Sequence, residues 1–155
     1  MEVIIDVQGF NHQDGKFVLK EIAGVSIGSG IIRGIFVTKP VQFSTTFKPP
    51  CEYSELSEND REFNRWCTKC HHGMLWNSGC LEYEMLEDFL HVVTRDVTVI
   101  YVKGLEKKKW LNKMLGGMKC IIEMAEELQC PSLHALKLLS LDRPVKCNNH
   151  DGYIV

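Results

Sequence analysis

The chain has 155 residues, 45% hydrophobic and 25% charged, an ordinary globular composition that predicts one domain over residues 1–155. Its 18 basic and 20 acidic side chains leave a net charge of −2, so there is no global basic surplus, and any contact with phosphates has to come from a local patch. No apolar run approaches the roughly 18 residues of a membrane span, the opening Met1-Glu2-Val3-Ile4-Ile5-Asp6 is wrong for a secretory leader, and seven cysteines, an odd number, read as reduced thiols of an intracellular, cytoplasmic or nuclear protein.

Residues 3–7 are a short β-branched run, and the turn formers Gly9, Asn11, Asp14 and Gly15 follow it. Apolar patterns resume over residues 17–27 and again over 31–38 after Gly28-Ser29-Gly30, which predicts three strands in an antiparallel meander. The second strand is apolar at almost every position and is expected to be buried on both faces. Residues 39–53, with Pro40, Pro49 and Pro50, suit an extended surface loop, because proline fixes φ and removes ladder donors. Ser54 or Ser57 then caps a helix running to about Cys70, with acidic residues in its first turn and Leu56, Phe63, Trp66 and Cys67 at near-helical spacing.

A loop over 74–80 leads to a helix over 82–93 whose apolar face is Met85, Leu86, Phe89, Leu90 and Val93. The clearest strand is 97–102; Gly104 turns it into a helix over 106–115, and 118–122 is a further strand, so this half forms a βαβ unit with a right-handed crossover. A last helix is expected over 132–141, after Cys130-Pro131. A meander followed by crossovers predicts an α/β, ribonuclease-H-like fold, which carries no activity by itself.

Laid on that frame, the sequence resembles the DEDD exonucleases over nearly its whole length. Asp6 sits in the first strand, Lys20-Glu21-Ile22-Ala23 is similar to their second-strand motif, and His72-Gly73-Met74 resembles the segment before their next helix. The stretch 100–106, ending in Glu106, takes the place of their second carboxylate motif. Such enzymes hold two Mg²⁺ or Mn²⁺ ions roughly 4 Å apart on several carboxylates. Here the opening reads Asp6-Val7-Gln8, Glu106 lies among Lys103, Lys107, Lys108 and Lys109, and a third motif has to come from 134–142 or from His150-Asp151. The expectation is a degenerate nuclease-like domain that binds single-stranded RNA or DNA or a protein partner; an active exonuclease using Asp6 and Glu106 is the alternative.

Within that superfamily the chain is similar to the Maelstrom domain, which binds zinc through Glu, Cys, His and Cys. The resemblance carries Glu21, Cys147 and His150 onto three of those ligands, and the chain ends before a fourth. A zinc-stabilised structural adaptor is therefore a third reading. The Asp6-Val7-Gln8-Gly9-Phe10 opening and the Tyr101-Val102-Lys103-Gly104 stretch also resemble those of a set of invertebrate proteins, and a role of this chain in RNA metabolism or control of mobile elements is the expectation that goes with the degenerate-nuclease reading.

Three clusters remain open on the residues alone. Cys147-x-x-His150 has the spacing by which one loop offers a thiolate and an imidazole to Zn²⁺, and it equally suits a solvated terminal loop. Cys67-Thr68-Lys69-Cys70-His71-His72 reads as a zinc half-site or as a helix end with Cys67 and Trp66 turned to the core; covalent haem attachment is excluded for an intracellular chain. Lys103, Lys107, Lys108, Lys109 and Lys113 with Trp110 form a phosphate-steering patch with a stacking ring, or a solvated helix face with its tryptophan buried. No cysteine stands in a recognisable hydrolase signature.

Overall fold

Alternating β-branched residues at the start of the chain build a strand longer than the apolar run alone suggests. In the computed structural model, which describes residues 1–12, 15–27, 30–32, 35–37, 40–116 and 120–125, β1 is Glu2–His12 and β2 is Lys16–Ile27. They pair antiparallel from Glu2↔Ile27 to His12↔Lys16, with a bulge between Gln8 and Gly9. Val3, Ile5 and Val7 are buried on one face, while Glu2, Ile4 and Asp6 are exposed on the other, as a period of two requires. At the bulge the strands close tightly: a Cβ on Gly9 would stand 2.2 Å from the carbonyl oxygen of Val18, so a side chain there has no room.

The third strand of the meander is not where the sequence pattern places it. The apolar stretch after β2 folds on itself as the hairpin of β3 (Gly30–Ile32) and β4 (Ile35–Val37), a separate two-stranded sheet. The strand that pairs with β2 is β5 (Gln42–Thr46), inside the stretch expected to be loop. Its composition hides it: on a sheet edge the polar Gln42 and Ser44 can face water, while Phe43 packs against Phe89 at a centroid distance of 6.1 Å.

Beyond β1 the sheet continues in parallel with β6 (Val99–Val102) and β7 (Ile121–Met124), in the order β5-β2-β1-β6-β7. Three antiparallel strands followed by parallel crossovers make an α/β fold with the ribonuclease-H-like strand order. The helices are α1 (Glu58–Cys70), α2 (Leu86–Thr94) and α3 (Leu105–Met114). Ser57 caps α1, its hydroxyl accepting from the Asp60 amide at 3.2 Å.

Two cores hold the layers together. Leu86 and Leu90 of α2 and Leu111 of α3, with the following Leu115, pack on Val3, Ile5, Val7, Ile100 and Val102. Each such fully buried side chain contributes roughly 2 kcal/mol of transfer free energy. Past the bulge, Phe10 and Val18 meet Leu56, Cys67 and Trp76 in a second cluster, which seats α1. Among the described residues no helix is long and apolar enough to cross a membrane. The expected helix at 132–141 lies outside the described residues.

Candidate functional site

Asp6 stands on the exposed face of β1, two residues before the bulge. Lys107, in the first turn of α3, donates from Nζ to Asp6 Oδ1 at 2.5 Å, and Gln8 donates from Nε2 to Oδ2 at 3.4 Å. The fold dictates this meeting. Because β6 runs parallel beside β1, with Ile4 opposite Tyr101, the crossover through Gly104 (φ 100°) starts α3 next to Asp6. Glu106, one residue earlier, points elsewhere: it pairs with Lys109 at 3.0 Å and its side chain is 85% exposed.

Both oxygens of the first-strand carboxylate are thus occupied by donors, one of them a full positive charge. A divalent ion brought to this carboxylate would lie beside an ammonium of like charge, which repels it, with a strength that solvent screening reduces at a half-exposed site. Asp6 and Glu106 do not converge, and among the described residues no three His, Cys, Asp or Glu side chains are grouped to hold a metal ion. Among the described residues, those around Asp6 do not make a two-metal centre. The third carboxylate motif, at 134–142 or 150–151, lies outside the described residues, as do Cys147 and His150; Glu21 is buried in the middle of β2.

The lysine run of α3 is dealt out around the helix, about 100° per residue. Lys107 goes to Asp6, and Lys108 turns to Glu123 of β7 at 4.0 Å. Lys109 and Lys113 line a groove of about 500 Å³ with Lys107, Lys16, Trp110 and Phe17, and Glu106, the partner of Lys109, lines it too. Lys16 belongs to β2 and could not be associated with this patch from the sequence, where it lies far from the lysine run. Trp110 is half-buried, edge-on to Phe17 at 5.5 Å and 72°, so it forms part of the groove wall rather than a free stacking face. Lys103 lines the neighbouring groove with Asp6, Ile4, Tyr101 and Lys107.

The Cys67 to His72 cluster is pulled apart. Cys67 is 2% exposed in the second core, and burial raises its thiol pKa; Cys70 and His71 face outward. His72 is buried and structural: the Met74 amide donates to its Nδ1 at 3.2 Å, which leaves Nε2–H to donate to the Gly9 carbonyl at 3.2 Å. Trp66, expected beside Cys67 in the core, is 53% exposed. The inward position is taken by Asn64, whose amide donates to Asn11 O at 2.9 Å and accepts from Asn11 N at 3.1 Å.

One Cys/His pair does meet, Cys51 Sγ with His12 Nε2 at 3.4 Å. Burial, and then the carboxylates of Glu55 and Glu52, push the Cys51 thiol upward, opposite to the direction that would activate a nucleophile. The most buried charge in the described residues is Lys20, also missed in the sequence although a lysine inside an apolar strand is a visible signal. Its Nζ donates to the carbonyls of Phe47 at 2.6 Å, Trp76 at 2.7 Å and Ser78.

The chain matches no protein-family model, and comparison with curated proteins gives no significant match.

Proposed function

We propose that this is a nuclease-like domain that binds single-stranded nucleic acid, RNA foremost, without cutting it. The observation that carries the reading is the Asp6–Lys107 pair: the carboxylate that would hold a catalytic ion in a DEDD-type nuclease is held instead by a lysine. The groove lined by Lys16, Lys107, Lys109 and Lys113 keeps a positive surplus over its one carboxylate, Glu106, and over the Asp6 partner of Lys107, although the chain as a whole carries −2. Strand order and the resemblance of the Asp6 and Glu106 segments to the DEDD exonucleases give the reading its family context.

The test uses purified protein with end-labelled single-stranded RNA and DNA in the presence of Mn²⁺. The expected outcome is binding that weakens with salt and no shortening of either strand. Shortening that disappears in Asp6→Ala would establish an active exonuclease, and absence of any binding would reject the nucleic-acid role.

A further inference from the structure

The outer face of α1 carries aromatic rings that serve neither core. Phe63 is 43% exposed and Trp66 53% exposed. Phe63 and Trp66 have centroids 6.0 Å apart with planes inclined by 33°, and Trp66 and His71 lie 6.0 Å apart at only 13°. The interior behaves differently. Phe17 with Trp110 at 72°, Phe47 with Phe89 at 78° and Phe10 with His72 at 79° cross steeply, while Phe10 with Trp76 is tilted at 50°. Edge-to-face and offset-parallel contacts both satisfy aromatic pairs, so what sets the outer rings apart is their exposure. The outer array is closer to parallel and leaves ring surface in water.

The support beneath it is rigid. Cys67 and Leu56 anchor α1 in the second core, and Asn64 fixes it to the main chain of Asn11 through two hydrogen bonds. His71 caps the helix, its amide donating to Cys67 O at 3.0 Å. Charge is graded along the same helix: its first half holds Glu58, Asp60 and Glu62 against Arg61, whereas the second half, which contains Trp66, holds Arg65 and Lys69 and no acidic residue. The rings therefore lie at the basic end. Asn11, the residue Asn64 grips, also lines the lysine groove, so both surfaces meet the same end of β1.

We propose that Phe63, Trp66 and His71 form a base-stacking platform and that the ligand presents unpaired bases. The proposal rests on the nucleic-acid reading and narrows it to single strands. Only unpaired bases offer free faces to such an array, and stacking tolerates any base because each has a π-face.

The experiment titrates the intact protein into a fluorescent uridine oligonucleotide and into a duplex of equal length, following anisotropy for the parent, Trp66→Phe and Phe63→Ala/Trp66→Ala. The double variant is expected to bind the single strand about tenfold or more weakly, with an unchanged salt slope because no phosphate contact is removed. Trp66→Phe should retain most of the affinity. Since both side chains are exposed, circular dichroism is expected to match the parent, and if the double variant does not fold, Trp66→Ala alone decides the matter: severalfold weaker single-strand binding supports the platform and unchanged binding overturns it. Unchanged single-strand affinity in the double variant, or equal affinity for the duplex, overturns the platform while leaving the broader reading intact. Loss of self-association in sedimentation without loss of oligonucleotide affinity would also overturn it, assigning the face to protein contact. Absence of binding to either oligonucleotide by the parent rejects the underlying reading itself.

Discussion

Lys20 carries a positive charge to a position with no solvent exposure, and its three ammonium donors meet three carbonyl oxygens, those of Phe47, Trp76 and Ser78. Burial pulls its pKa from 10.5 down to about 8. The folded chain therefore gives up this proton at lower pH than the unfolded chain does. The cost of burying the charge is fully present below about pH 8 and fades toward 10.5, so stability rises across that window by about 3 kcal/mol at most from this group. Tyr83 acts oppositely at the upper end, because burial raises its pKa and folding then retains a proton that the unfolded chain loses. Lys20→Met isolates the lysine: urea unfolding at pH 7 should show a loss of about 3 kcal/mol, since three buried carbonyls lose their donor, and the variant should lack the parent's gain between pH 8 and 10. A variant as stable as the parent at pH 7 would mean those carbonyls find other donors. The Asp6–Lys107 pair is a different case, because its side chains are 55% and 31% exposed. A double-mutant cycle with Asp6→Asn and Lys107→Met should give a coupling of only about 0.5–1 kcal/mol, as for other exposed ion pairs, and a coupling above about 2 kcal/mol would make the pair a structural one.

At the scale of elements, α3 shows what a run of like residues conceals. Residues 103–113 read as one basic patch, yet helical rotation sends Lys107 to Asp6, Lys108 to Glu123, and Lys109 and Lys113 to the groove shared with Lys16. Alanine at Lys16, Lys109 and Lys113 together should reduce the slope of log affinity against log salt by about 2 for a single strand, whereas Lys108→Ala should leave it nearly unchanged. Equal effects from both would mean that the lysines act through general charge rather than through the groove. The three described α-helices were legible because apolar spacing marks them locally, and of the two candidate caps of α1 it is Ser57 that accepts from Asp60 N. The strand β5 was not, because an edge strand can be polar on its open side, and the more apolar β3–β4 stretch drew the assignment to itself. Trp66 was misread for a related reason: periodicity identifies a face, but here a buried asparagine amide takes the inward position and turns the indole outward.

For the molecule as a whole, strand order was legible since a meander followed by crossovers admits few arrangements. The chemistry of the cleft was only half legible. A shortage of carboxylates could be counted in the sequence, whereas the contact between Asp6 and Lys107, 101 residues apart, is a product of parallel pairing and exists only in three dimensions. The same holds for Lys16 and for the Cys51–His12 contact, each joining segments with no shared local pattern.

The grip of Asn64 on Asn11 has a mechanical consequence. By pinning α1 to the end of β1, it fixes the span between the aromatic array and the lysine groove, and a fixed span sets the effective concentration at which a strand held on one surface encounters the other. Asn64→Ala, which leaves every proposed ligand contact in place, should therefore weaken a long oligonucleotide that reaches both surfaces more than a short one confined to either. Equal weakening of both lengths would show that the amide supports local packing alone and that the two surfaces bind as independent modules.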